Sequence, residues 1–189
     1  FAAFLKGEKE LAGLIGDFVE LLQASINKKG SFLSVADEIH ILKNYIHLQD
    51  FRYQGGFQVE YEISEEAYRC YIPRLILQPL VENALLHGID IKRQTGKIQI
   101  SGRVNDGKLF LTVKDNGRGM TEEQIRELLR SHVKKTNGLS AVGVPNVKER
   151  LELYYGAQGG MEYKSSGKGT EVTVFLPAIY DIPEEGRKS

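Results

Sequence analysis

The order of hydrophobic patterns predicts a two-layer α/β sandwich, with helices returning to one side of a sheet built from antiparallel strand runs. Three observations carry this. Two helical stripes come first, through residues 11–26 and 39–46. Alternating apolar and polar stretches then recur at 57–63, 98–104, 109–114 and 171–176. Between two of them stands Asn105-Asp106-Gly107, a strong hairpin signal.

Each element has its own justification. Leu11, Leu14, Ile15, Phe18, Leu21, Leu22 and Ile26 place one apolar stripe on a helix over about 8–27. Residues 27–31, with Lys-Lys-Gly, read as a turn. Ser34 with an acidic first turn caps a second helix, whose stripe is Ile39, Leu42, Ile46 and Phe51 and which ends near Gly55-Gly56. Residues 57–63 alternate as a half-buried strand. Pro73 opens the helix carrying Glu82 and Asn83, and Pro79 inside it predicts a kink or restart. The hairpin 98–114 follows. Thr121 and Gln124 start a short helix to about Leu129. Residues 131–142 are polar and unpatterned. Pro145 begins a helix through Tyr155, stopped by Gly156, and a last strand pair flanks residues 165–169. The predicted organisation is a helical region over 1–30, a main domain over 31–180 and a polar tail over 181–189.

Composition narrows the function classes. Of 189 residues, 41% are hydrophobic, enough for a core, and 25 basic residues balance 25 acidic ones. That balance gives no argument for a nucleic-acid footprint. The single cysteine, Cys70, excludes an intrachain disulfide and reads as a small structural residue in a reducing compartment. No run reaches the roughly 18–20 apolar residues of a membrane span. No signal peptide is present, and the chain opens at Phe1 in mid-pattern, which reads as a segment of something longer.

The chemistry concentrates in three segments: LQPLVENALLHG at 77–88, DNGRGM at 115–120 and GKGT at 167–170. Asn83 and His87 stand four apart and share a helix face. The amide oxygen of Asn83 suits Mg²⁺, a hard cation that keeps waters and leans on substrate phosphates; satisfying a backbone group at a helix break is the other use of such a residue. Glu82 can polarise a nucleophile or metal-bound water, or be a solvated surface glutamate. His87 can favour the helix dipole or stack on a ligand. Asp115 ends a strand, where a buried carboxylate needs a partner, and an adenine amine fits. Gly117 and Gly119 would let backbone approach a flat base; a plain Asp-Asn-Gly turn is the competing reading. Residues 131–142 suggest a mobile cover. Gly143 at the following helix start could offer N–H groups to phosphates, with charge from Lys134, Lys135 and Arg150. Gly167, Gly169 and Thr170 fit a hairpin turn or a wall beside the base. The common P-loop, dinucleotide, zinc and serine-hydrolase signatures are absent.

These segments resemble the boxes of bacterial sensor histidine kinases. LQPLVENALLHG resembles their asparagine box, DNGRGM their first glycine box and SSGKGTEVTVFLP the last, while VGVPNVKERLELYYG is similar to their lid-to-helix junction. IPRLILQPLVENA with LKNYIHLQDFRY points to the branch of the LytS and YesM sensors. The resemblance covers roughly residues 18–177. It implies a Bergerat-type ATP-binding fold with a mixed, mainly antiparallel sheet, as in gyrase, MutL and heat-shock chaperone ATPases. It further implies Asn83 on Mg²⁺, Asp115 on the adenine amine, and Gly117, Gly119, Gly143, Gly167 and Gly169 around the pocket, with Thr170 near the base. Glu82 matches a position tied to catalysis.

The implied activity is transfer of the ATP γ-phosphoryl group to a histidine, for relay to a response regulator, in a homodimeric sensor anchored in the membrane through another part and holding this domain in the cytoplasm. An ATPase switch of the gyrase or MutL kind and a degenerate nucleotide-binding or docking domain are the alternatives. The sequence departs from the family in two places. Ala141-Val142-Gly143 stands where the branch has G-x-G, which bears on lid closure and phosphate binding. The acceptor segment resembling N-P-H-F-L-F-N is absent, and His40 and His47 lie in no such context, so the acceptor histidine is expected upstream.

Overall fold

A computed structural model describes residues 2–26, 31–90, 95–130 and 143–183. Helix α1 (Ala2–Ile26) packs along α2 (Val35–Tyr53). Short strands β1 (Phe32–Ser34) and β3 (Tyr71–Pro73) pair with each other, and β2 (Phe57–Ile63) and α3 (Glu65–Tyr68) lie between them in sequence. Helix α4 (Leu77–Asn83) runs directly into a π-helical turn, Ala84–Gly88. Then come β4 (Gly96–Asn105), β5 (Lys108–Asp115), α5 (Glu122–Arg130), α6 (Val144–Tyr155), a 3₁₀ turn (Gly156–Gln158), β6 (Gly160–Ser166) and β7 (Gly169–Pro177).

The main sheet has the order β2-β4-β5-β7-β6. β2 and β4 are parallel; the other three pairs are antiparallel, as the mixed, mainly antiparallel expectation has it. A parallel pair needs a crossover, and the segment carrying α4 supplies it. Burial alternates along the strands. Ile98, Ile100, Leu109, Leu111, Val113, Val172, Val174 and Leu176 are buried, and the residues between them are half-buried. One sheet face is therefore covered. Its cover comes from Leu77, Leu80 and Val81 of α4 and Val147 and Leu151 of α6, which join one apolar cluster with Ile39 and Leu42 of α2.

Local signals behave as their chemistry requires. Ser34 Oγ accepts from the Asp37 N–H (3.1 Å) and caps α2. Thr121 and Gln124 exchange hydrogen bonds, the Thr121 N–H to Gln124 Oε1 (2.9 Å) and the Gln124 N–H to Thr121 Oγ1 (3.2 Å). Asp106 and Gly107 both have positive φ, the twisted two-residue hairpin turn. Cys70 is free and buried, and burial pushes its thiol up.

Three expectations need correcting. Pro73 ends β3, and the helix begins at Leu77, so Pro79 falls in the first turn, where its missing N–H costs nothing. No kink arises there. Phe51 is 56% exposed and stands outside the α2 stripe. Strands β1 and β3 and helix α3 are too short to show a period. The expected cover at 131–142 and most of the polar tail lie outside the described residues.

Candidate nucleotide site

Asn83 closes α4, and the chain then widens into the π-helical turn, where the Ile89 N–H reaches the Ala84 carbonyl (3.0 Å). Such turns recur at functional sites because they re-aim the side chains around them. Asn83 is half-buried. Together with Glu82, His87 and Gly143 it lines a cavity of about 850 Å³, walled on the far side by Phe18, Leu21 and Leu22 of α1. Asn83 and His87 thus line one cavity, although the turn between them is π-helical and not the α-helix expected. Glu82 accepts from Gln78 Nε2 (3.0 Å) one turn earlier. Burial first, and then the Glu82 charge, push the Tyr45 hydroxyl upward on the facing α2. Gly143 is the N-cap of α6, with no side-chain cap there.

Asp115 is 5% exposed at the end of β5. Its Oδ1 accepts from the N–H groups of Gly117 (2.8 Å) and Thr170 (3.3 Å). Burial pushes the carboxyl up, and these two donors pull it back by less. The glycines around it are required by contact. A Cβ on Gly117 would overlap the Gly88 carbonyl, and one on Gly169, whose φ is +126°, would overlap the Asp115 carbonyl. Gly119 rests against the backbone of Ser166. The Met120 N–H donates to Ser165 Oγ (2.7 Å), which lies 2.9 Å from Thr170 Oγ1. Gly117, Gly119, Gly169 and Thr170 therefore form one packed junction with Asp115. Gly167 occupies the β6–β7 turn with open space around it.

Gly88 joins the two halves. Its Cα lies against the Asp115 carboxyl, so that an added Cβ would come within 2.9 Å of Cγ. Its carbonyl accepts from the Arg118 N–H (3.1 Å), and Arg118 Nε donates to the His87 carbonyl (3.0 Å). A second cavity of about 800 Å³ is lined by Gly88, Asn116, Gly117 and Arg118, and His87 and Leu86 border both cavities. Asp115 itself lines neither; its neighbours do. Asn116 instead continues the sheet, donating to the Thr95 carbonyl (2.8 Å) and accepting from the Lys97 N–H (2.7 Å).

Sequence reasoning missed Gly88, Arg118, Ser165 and Leu86. Leu86 is 61% exposed on the cavity rim, apolar surface suited to a ring. Arg150, expected near phosphates, instead donates to the Arg74 carbonyl from a half-buried position. Lys134, Lys135 and Ala141 lie outside the described residues. Among the described residues no group of three or more His, Cys, Asp or Glu could hold a metal. The oxygen donors of Asn83 and Glu82 suit a hard cation bound by few protein ligands, with waters and phosphates completing its shell.

Comparison with known proteins places this geometry. The model for "Histidine kinase-, DNA gyrase B-, and HSP90-like ATPase" matches residues 72–179, and the model for "Histidine kinase" matches residues 2–57. Sensor histidine kinase YesM of Bacillus subtilis is 28% identical over 176 residues, covering 93% of this chain and 29% of YesM. Sensor histidine kinase YpdA of Escherichia coli is 30% identical over 145 residues, covering 77% of this chain and 24% of YpdA. This chain therefore spans under a third of these relatives. Among solved structures, Acinetobacter baumannii histidine kinase AdeS aligns with a TM-score of 0.56 at 18% identity, covering 94% of this chain and 83% of that one. The catalytic domain of histidine kinase ThkA aligns with a TM-score of 0.59 at 18% identity, covering 78% and 97%. These structures share the fold, and the match over 72–179 takes in more than half of the sequence: the chain belongs to the family of histidine kinase-, DNA gyrase B- and HSP90-like ATPases.

Proposed function

We propose that this chain is the ATP-binding catalytic part of a sensor histidine kinase. In this reading residues 31–180 form the catalytic domain and residues 1–30 belong to a dimerisation region. Asp115 accepts the adenine amine, and Gly117, Gly119, Gly169 and Thr170 shape the wall beside the base. Gly167, at the β6–β7 turn, belongs to the same wall. Asn83 holds Mg²⁺, which would neutralise phosphate charge. His87 packs on the nucleotide between the two ends, and the N–H groups behind Gly143 face the phosphates. Glu82 assists the transfer.

A histidine on an upstream acceptor helix attacks the γ-phosphorus in line; a nitrogen–phosphorus bond forms, the bond to the β-phosphate oxygen breaks and ADP leaves. The phosphoryl group then passes to an aspartate of a response regulator. The parent protein is a membrane-anchored homodimer with this domain in the cytoplasm. No described helix is long and apolar enough to cross a membrane.

The observation that carries this reading is Gly88. It ends the helical turn that follows Asn83 and touches the Asp115 carboxyl, so the two halves of the site meet at one residue. The test is incubation with Mg·ATP and a separately made acceptor-helix fragment. Acid-labile, alkali-stable phosphate on that fragment is the expected result. Release of free phosphate alone would make the chain an ATPase switch, and neither product would make it a degenerate binding domain.

A further inference from the structure

One buried charge below the Asn83 helix has no part in the site just described. Glu38 of α2 is 2% exposed. Its Oε1 accepts from the N–H groups of Ile76 (2.8 Å) and Leu77 (3.0 Å), and its Oε2 from the N–H of Leu75 (3.0 Å). Helix α4 has no side-chain cap from its own start, where Ile76 and Leu77 are fully buried. Its first donors would be orphaned in an apolar core without this carboxylate. Burial pushes the Glu38 carboxyl up, and the three N–H groups pull it back by less.

The geometry is not left to chance. Leu75 has φ +56°, a conformation that leucine rarely adopts, and the strained turn aims three successive N–H groups at one carboxylate. Arg150 of α6 lies close enough to interact with the Glu38 charge and donates to the Arg74 carbonyl of the same turn. Gly143, where α6 begins, lines the Asn83 cavity. Glu38 thus holds the turn that starts α4, and Arg150 ties the same turn to α6.

We propose that Glu38 is a positioning residue for the metal end of the site. Its carboxylate fixes α4 along its axis and, through Arg150, keeps α4 in register with α6, so that Asn83 and the start of α6 address one bound phosphate group. This rests on the reading of Asn83 as the metal ligand.

The test is Glu38→Gln. Its Oε1 can still serve Ile76 and Leu77, but Nε2 turns a donor toward the Leu75 N–H and the charge is lost. Binding of a non-hydrolysable ATP analogue is measured by calorimetry with Mg²⁺ and with a chelator. The affinity gained from Mg²⁺ should fall roughly tenfold, the size of one charge-assisted hydrogen bond. Affinity in chelator, carried by the adenine end, should stay at the wild-type value. An unchanged Mg²⁺ gain overturns the proposal, as does a parallel fall of both affinities in step with the melting temperature. A wild type without any Mg²⁺ gain removes the metal reading of Asn83 first and this proposal with it. Should Glu38→Gln fail to fold, hydrogen exchange in the wild type decides. The Leu75, Ile76 and Leu77 amides should exchange more slowly with analogue plus Mg²⁺ than with analogue in chelator, and equal protection overturns the coupling.

Discussion

At Asp115 one carboxyl carries a structural contact and the proposed ligand contact. Oδ1 is held by backbone donors, and in the proposed reading the other oxygen accepts from the adenine amine. Asp115→Asn can keep the first pair of bonds while presenting an N–H₂ group to the base. An adenine amine would then meet a donor, an unsatisfied pairing that costs about 1–3 kcal/mol. ATP affinity should fall about tenfold or more, with GTP, whose base offers a carbonyl there, losing less; competition binding checks this. The same variant reports on pH. Burial holds the Asp115 carboxyl above its ordinary 3.8. A raised acid contributes its stability fully below pH 3.8 and loses it as the pH rises through the folded value. The melting temperature of the wild type should therefore drop relative to Asp115→Asn between acid and neutral pH, and a gap that is constant with pH would contradict the burial argument. Gly88→Ala probes the same contact sterically. The new methyl displaces the carboxyl from the Gly117 and Thr170 donors, at a cost of about 1–3 kcal/mol in thermal unfolding and a matching loss of adenine selectivity.

Among the elements, those with a period were legible and those without were not. Strands β4 and β5 showed themselves through strict alternation and the Asn-Asp-Gly turn, and α2 through Ser34 and its stripe. β1, α3 and β3 are three or four residues long, shorter than any period can register. Pro79 misled because a proline in a first turn and one in mid-helix look alike until the helix start is known. Two helical stripes joined by a short turn read as a helical hairpin or a helical lead-in, and α1 does pack on α2; which side chains meet was not legible, since the partners lie far apart in the chain. Glu20 reaches His40 (3.1 Å) and Asn44 (2.5 Å), and Asp17 reaches His47 (2.5 Å). The His40–Glu20 pair is largely exposed and worth at most about 1 kcal/mol, whereas Asn44 is buried where it meets Glu20. Glu20→Ala should speed hydrogen exchange in α1 while leaving β4, β5 and β7 unchanged; equal acceleration in the sheet would show that α1 is part of the same cooperative unit.

For the whole molecule, the site was legible as three segments and not as a shape. Residue types and order named Asn83, Asp115 and the glycines. Only the fold shows that Gly88 is where the asparagine helix and the glycine turn touch, and that Arg118 pins that contact through two carbonyls. Arg150 illustrates the converse: a basic residue on a helix that starts at the cavity belongs, in three dimensions, to the buried Glu38 cluster. The central claim is that Asn83 and Asp115 hold the two ends of one Mg·ATP molecule. Calorimetric titration of the wild type and of Asn83→Ala with a non-hydrolysable ATP analogue, each with Mg²⁺ and with a chelator, tests it most directly. The account predicts one site whose affinity depends on Mg²⁺ in the wild type and no longer depends on it in Asn83→Ala. Equal wild-type affinity with and without the chelator would contradict it.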